Sequence, residues 1–152
     1  MVNKVKTATV IGLNAYQVFV ETDVINSLPS FSIVGLPDTA INEARDRVRS
    51  AIKNSGFTFP AKKVVINLAP ADLKKEGSNF DLPIAIGLIT EEGILEPEKL
   101  DNYAFIGELS LDGSLRGING VLPLILGLKE EGIKMFLFRM LTQKKQLLRE
   151  VI

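Results

Sequence analysis

Residues 69–93 read APADLKKEGSNFDLPIAIGLITEEG, and this stretch decides the fold of the chain. A polar loop at 74–79 leads into a helix start, where Asp81 is expected to be the N-cap and Pro83 lies in the first turn. Residues 84–89 are apolar nearly all round, which predicts a buried helix, and Gly93 ends it. A charged, hydroxyl-bearing loop at the N-terminus of a buried helix is a place where a nucleophile or an anion site can be built.

Outward from this stretch, hydrophobic periodicity and turn residues predict the remaining elements. Strands are expected at 4–11, 16–24, 31–34, 62–68, 103–110, 114–116 and 133–138. Helices are expected from Asp38 or Thr39 to about Ser55, at 121–131 and in the tail at 141–152. The first two strands should form a hairpin, the first three a meander, and Asp112-Gly113 a second hairpin. This order predicts an α+β (mixed α/β) domain.

The composition narrows the possible functions. The 152 residues suit one domain, and Lys+Arg and Asp+Glu both number 18, which argues against a strong overall field for nucleic acid. There is no Cys and no His, so disulfides and histidine-based catalysis are excluded. No long apolar run occurs near residue 1 or elsewhere, which predicts no signal peptide, no membrane span and a cytoplasmic protein.

The loop offers one pair with catalytic potential. Ser78 with Lys74 or Lys75 could transfer acyl groups if the lysine were desolvated enough to act as a base. A few polar residues before a helix more often form a solvated turn and cap, which is the favoured interpretation.

Metal and phosphate sites have weaker support. Asp72, Glu76 and Asp81 could hold a hard cation such as magnesium, although Asp81 is better explained as a cap. No P-loop motif occurs, and Gly117 with Gly120 before a helix is more typical of a structural turn than of an anion site. We therefore expect no metal and no cofactor in this chain.

A basic ridge is the remaining candidate. Arg45, Arg49 and Lys53 recur every four residues on one helix face, and Lys62 and Lys63 follow soon after. Such a ridge could contact DNA phosphates or acidic residues of a neighbouring subunit. The alternative is a solvated face, partly neutralised by acidic residues of the same helix.

Six blocks of sequence together resemble one family. They are SLPSFSIVGLPD (27–38), EARDRVRSAI (43–52), NLAPADL (67–73), KEGSNFDLPIA (75–85), GELSLDG (107–113) and LRG (115–117). In this order they are similar to the N-terminal domain of the ComM/YifB family, magnesium chelatase-related proteins. The resemblance covers about residues 1–138, the expected Lon-like, ChlI-type domain. Residues 139–152 form a tail that departs from the family pattern.

The resemblance carries several implications. It implies the ribosomal protein S5 domain 2-like fold, as in the Lon proteolytic domain and the RadA C-terminal domain. Full-length members of the family continue into an AAA+ ATPase module that binds ATP and Mg²⁺, form hexameric rings and act in DNA branch migration during natural transformation. This chain would then be a non-catalytic domain serving ring assembly or DNA contact, a homo-oligomer that contacts DNA weakly.

The similarity to Lon bears on catalysis. Alignment with the nucleophile loop of Lon puts Asn79 at the serine position, with Ser78 one residue early. Alignment with the later block that carries the lysine of Lon puts Val121 at the lysine position. Both halves of the dyad are missing, so the resemblance implies a non-proteolytic domain. Two alternatives remain open: a cryptic Lon-type peptidase using Ser78 and Lys75, and an inactive fragment whose reading frame is truncated or frameshifted.

Overall fold

The computed structural model describes residues 2–117, residues 123 and 126, and residues 135–137. Within this part of the chain the regular elements are eight strands, two α-helices and one 3₁₀-helix. In chain order they are β1 (Asn3–Ile11), β2 (Asn14–Ile25), β3 (Ser30–Val34), α1 (Thr39–Asn54), β4 (Lys63–Ala69), α2 (Asp81–Glu91), the 3₁₀-helix (Pro97–Leu100), β5 (Tyr103–Phe105), β6 (Glu108–Leu109), β7 (Leu115–Arg116) and β8 (Met135–Leu137).

Six of the strands form one mixed sheet in the order β3-β4-β2-β1-β5-β8. The pairs β1–β2 and β2–β4 are antiparallel, whereas β3–β4, β1–β5 and β5–β8 are parallel. The strands β6 and β7 form a separate two-stranded hairpin. The α+β class predicted from the sequence is confirmed.

Helix α2 is the centre of the core. Every residue from Asp81 to Thr90 is buried, because the helix packs on β1 and β2 with one side and on α1 with another. A Cβ added at Gly87 would lie 2.3 Å from the Thr22 Oγ1 atom, so only a glycine allows this close approach of helix and sheet. Helix α1 buries one apolar stripe, formed by Ile41, Ala44, Val48, Ala51 and Ile52.

Both predicted hairpins are present. Strands β1 and β2 pair from Asn3–Thr22 to Ile11–Asn14, and the turn at Asp112-Gly113 connects β6 and β7. The prediction of a three-strand meander is wrong. Strand β3 pairs with β4 instead of β2, because α1 carries the chain back over the sheet and lays β4 down parallel to β3, between β3 and β2.

The strand predicted at 103–110 is also divided. Backbone hydrogen bonds from Leu82 N to Gly107 O and from Gly107 N to Asn79 O, both 2.9 Å, pull the chain out of the large sheet after β5. At 133–138, β8 occupies the middle of the predicted strand. The predicted tail helix lies outside the described residues, and so does nearly all of the predicted helix at 121–131.

No helix among the described residues combines the length and apolar character needed to cross a membrane.

Candidate functional site

The loop before α2 is organised around the ammonium group of Lys75. This side chain is 0% exposed, and its Nζ atom donates to the carbonyl oxygens of Gly35 at 2.7 Å, Leu68 at 2.8 Å and Pro70. An ammonium group has three N–H donors, so all of them are engaged. Burial lowers the pKa of Lys75, and the charge of Asp72 opposes that shift. The lysine therefore connects its own loop with two other segments, the turn at Gly35 and the end of β4 at residues 68–70.

The backbone around Lys75 is shaped to bring those carbonyls together. Gly35 has φ +100°, and a Cβ there would lie 2.3 Å from the Leu68 carbonyl oxygen. Lys75 N donates to Leu36 O, and Asp38 N donates to Lys75 O, both at 3.1 Å. These two bonds dock the loop after β3 against the loop before α2.

Asp38 fixes the same junction with its side chain. One carboxylate oxygen accepts from Ile41 N at 2.9 Å and caps α1, as expected from the sequence, and the other accepts from Gly77 N at 2.9 Å. The start of α1 and the loop before α2 therefore share one carboxylate.

An ion pair between the half-buried Arg47 and the buried Asp81 joins the two helices. Arg47 of α1 donates from Nε to Asp81 Oδ2 at 2.7 Å and from Nη2 to Oδ1 at 3.1 Å. Leu109 N also donates to Oδ2, at 3.1 Å. Burial raises the pKa of Asp81 from 3.8 to about 6, against the hydrogen bonds from Arg47 and Leu109 that lower it. The same pair raises the pKa of Arg47.

The prediction that Asp81 caps α2 is therefore wrong. Asp81 is the first residue of the helix, Phe80 is the N-cap, and no side chain caps it. The carboxylate bonds Arg47 instead, and a backbone carbonyl, Gly107 O, accepts the Leu82 N–H of the first turn.

Ser78 is paired with an acid. Its hydroxyl donates to Glu108 Oε2 at 2.6 Å, and Arg116 Nε lies 3.8 Å from Glu108 Oε1. The hydrogen bonds thus connect Ser78 with Glu108 and Lys75 with backbone carbonyls. Lys74 is exposed to solvent, and its Nζ atom lies 3.6 Å from Glu76 Oε1, which is also exposed. An ammonium with all three protons donated to carbonyls has no lone pair to accept the proton of a serine hydroxyl.

The remaining candidate residues do not come together in one site. Asp81 is held by Arg47 and Glu76 by Lys74. Among the described residues, no group of three or more acidic side chains is placed to hold a metal ion. Asn79 uses its backbone carbonyl to accept from Gly107. Gly117 is the last residue of the continuous described segment, and Gly120 and Val121 lie outside it.

The basic ridge of α1 borders a groove. Arg49 lies over the ring of Phe59 at 5.0 Å from its centroid, and Phe59 in turn packs on Phe31 at 5.5 Å. Arg45 instead bonds the carbonyls of Asn42 and Phe31. The groove has a volume of about 250 Å³ and is lined by Pro29, Ser30, Arg49, Lys53, Phe59, Pro60, Ala61 and Lys62. We call it the basic groove.

Spacing along α1 could find Arg49 and Lys53, but it could not find Phe59 or the wall at Pro29. Their only sequence signal is the aromatic and proline run at 57–60, just after the helix ends.

Fold and site together define a mixed α/β domain whose loops are fixed by a buried lysine and whose two helices are joined by a half-buried arginine bonded to a buried carboxylate. The chain belongs to the family described as subunit ChlI of Mg-chelatase, whose model matches residues 20–140.

Comparison with curated relatives places the chain in a narrower group within this family. The chain is 53% identical over 118 residues to the uncharacterised protein YifB of Escherichia coli. The aligned region covers 78% of this chain and 23% of the relative. It is 50% identical over 115 residues to the competence protein ComM of Haemophilus influenzae, covering 76% and 23%. An uncharacterised protein of Mycobacterium tuberculosis is 41% identical over 121 residues, covering 80% and 24%. The predicted resemblance to the ComM/YifB family is confirmed, and the chain spans about a quarter of the length of these relatives.

Proposed function

We propose that this chain is a non-catalytic domain of a magnesium chelatase-related AAA+ ATPase of the ComM/YifB type, and that it contacts single-stranded DNA through the basic groove. The observation that carries the proposal is the groove itself, where Arg49, Lys53 and Lys62 surround the half-buried ring of Phe59.

The charges of the groove are available to an anion. Of the salt bridges formed between residues 2–117, none involves Arg49, Lys53 or Lys62, and no acidic residue lines the groove. Cations that form no salt bridge attract phosphates, and counterions are released when phosphates bind. The chain as a whole is neutral, so this attraction is local to the groove.

The arginine and the aromatic ring of the groove are suited to stacking with a nucleobase. The Arg49 guanidinium is stacked on Phe59 and exposed to solvent, so its outer face can stack on an unpaired base. Stacking platforms beside a positively charged groove are typical of proteins that bind single strands without sequence preference.

The contacts of Lys75 and Ser78 support a non-catalytic role. The lysine donates to three carbonyls, so it has no lone pair with which to take a proton from the serine, and the serine hydroxyl donates to the Glu108 carboxylate instead of to the lysine. In this proposal ATP and Mg²⁺ bind an AAA+ module outside this chain, the chain self-associates as part of a cytoplasmic ring, and the DNA contact serves branch migration.

DNA contact can be tested by fluorescence anisotropy with a labelled single-stranded oligonucleotide over a salt series. We expect binding that weakens with salt. The plot of log K against log salt should have a negative slope. In Lys53→Ala and in Lys62→Ala this slope should become shallower by about 0.7 for each phosphate that the variant no longer neutralises. Lys99→Ala is the matched control, because Lys99 is exposed and paired with Glu96 at 3.1 Å. Slopes equal to wild type in both groove variants would show that the groove is not the DNA site.

The non-catalytic part is tested separately with a serine-reactive probe. We expect no labelling; labelling that Ser78→Ala abolishes would establish a nucleophile and overturn this part of the proposal.

A further inference from the structure

One edge of the large sheet is formed by β3. This strand pairs with β4, and no strand among the described residues lies on its other side. Proteins usually protect edge strands from further pairing with charges, prolines or bulges. The sequence of β3, SFSIV, contains no charge and no proline, and its register with β4 runs without a bulge. We call residues 30–34 the β3 edge.

The backbone groups on the free side of the β3 edge can be assigned from its pairing with β4. Ser30 N donates to Lys62 O at 3.4 Å, so Ser30 is a residue that bonds β4. Bonding alternates along a strand, so the even-numbered residues of β3 bond β4, whereas Phe31 and Ile33 direct their N–H and C=O groups to the free side. Arg45 Nη1 agrees with this assignment, because it donates to Phe31 O, also at 3.4 Å.

The two faces of the sheet place different chemistry beside this edge. Phe31 is buried on the face that α1 covers, and Val34 is 47% exposed on the opposite face. Two exposed arginines of α1 lie on the first face: Arg45 reaches Phe31 O, and Arg49 stacks on Phe59, which packs on the Phe31 ring. Every second side chain of a strand added here would lie near these arginines, and the side chains between them near Val34.

The charge of the edge favours an acidic partner. Of the salt bridges formed between residues 2–117, none involves Arg45 or Arg49, although Asp46 lies between them in the sequence. The 3.4 Å bond from Arg45 to Phe31 O is longer than the usual range of about 2.7–3.2 Å. A carboxylate is a stronger acceptor for a guanidinium than a carbonyl is, so an incoming acid can take over this donor.

We propose that the β3 edge binds an extended acidic peptide of a partner protein as an added antiparallel strand. Peptide residues opposite Phe31 and Ile33 are acidic and pair with Arg45 and Arg49 of α1. The peptide residues between them are aliphatic and pack beside Val34. Main-chain bonds supply affinity and the alternating side chains supply specificity, and antiparallel pairing is the more stable orientation per residue. The site shares Arg49 with the basic groove but does not depend on DNA contact.

The probe is a capped pentapeptide of sequence VEVEV, titrated into the whole chain and followed by NMR. Its two glutamates are placed to lie opposite Phe31 and Ile33. We expect the amide protons of these two residues to exchange more slowly as the peptide is added, because they become bonded. The Ser32 amide, which already bonds β4, should exchange as before.

Substitution of Arg45 tests the predicted ion pair. Arg45→Ala should raise the dissociation constant for VEVEV by about two- to fivefold, the range expected for an exposed salt bridge. Arg116→Ala is the matched control, because Arg116 is an exposed arginine that lies beside Glu108 on the β6–β7 hairpin, and it should leave the constant unchanged. Equal constants in wild type and Arg45→Ala would overturn the pairing.

A second peptide separates strand addition from simple attraction of charge. VEVEV with both glutamates N-methylated keeps the same charge but lacks the two N–H groups that would donate to Phe31 O and Ile33 O. Its affinity should be about tenfold lower or less, because two hydrogen bonds are lost. Equal affinity of the two peptides, no binding of VEVEV, or unchanged exchange at Phe31 and Ile33 would each overturn the inference. A chain that binds VEVEV but no DNA would overturn the proposed DNA contact alone.

Discussion

Replacement of Lys75 by methionine is the sharpest test of how the loops are held. Methionine keeps an unbranched apolar side chain of similar length, with sulfur in place of Cδ, and lacks the ammonium, so the carbonyls of Gly35, Leu68 and Pro70 lose their shared donor inside the protein. A hydrogen bond to a charged group contributes about 1.5–3 kcal/mol net. Three such bonds would sum to about 4.5 kcal/mol or more, but bonds to one donor are not additive. We therefore expect the free energy of unfolding to fall by about 3–5 kcal/mol, which lies at the severe end for single substitutions.

The adjacent lysine provides the control. Lys74 is 72% exposed, and its only salt bridge among the described residues is with Glu76, so Lys74→Met should change stability by less than about 0.5 kcal/mol. Urea denaturation followed by far-UV circular dichroism measures both variants. Lys75→Arg should also be destabilising, because a planar guanidinium cannot direct three donors as an ammonium does. If Lys75→Met lowered the free energy of unfolding by less than about 1 kcal/mol, the carbonyl contacts would not be what fixes these loops.

Two further predictions concern pH and backbone conformation. The raised pKa of Asp81 means that the folded state binds more protons than the unfolded state between pH 3.8 and about 6. The stability of wild type relative to Asp81→Asn should therefore fall as pH rises through this window, by at most about 3 kcal/mol, and a flat difference in urea titrations would contradict it. Gly35→Ala should cost more stability than Gly12→Ala. Both have positive φ, but only at Gly35 does the added Cβ meet a carbonyl, Leu68 O at 2.3 Å, and equal midpoints in urea would refute this.

Local sequence patterns predicted the elements whose causes are local. The apolar stripe of α1, its cap at Asp38 and the turn at Asp112-Gly113 depend on neighbours within a few residues, and each appears as expected. The place of β3 in the sheet depends on where α1 delivers β4, which periodicity does not encode. The meander failed for this reason.

The candidate site could be predicted only as a set of residues. The sequence identifies Lys75 and Ser78 as polar residues before a buried helix, but each has a partner in a distant segment. Lys75 bonds Gly35, 40 residues earlier, and Ser78 bonds Glu108, 30 residues later. In the same way the sequence predicted Asp81 to be a cap. Its actual partner, Arg47, is 34 residues away, and local sequence does not reveal a partner at that distance. Long-range pairing changed the role of each residue without changing its identity.

The position of β1 between β2 and β5 has a consequence for synthesis of the chain. The β1–β2 hairpin can form as soon as its residues emerge, but β1 pairs with β5 only at Lys6–Ala104, so one side of the hairpin stays open until β5 has been made. At about 5–20 residues per second, translation from the end of β2 at Ile25 to the end of β5 at Phe105 takes roughly 4–16 s. Through that interval the nascent chain presents the outer edge of β1, whose residues 7–11 carry no charge, to neighbouring chains on the same messenger. Chaperones or slow dilution should therefore raise the yield of folded domain.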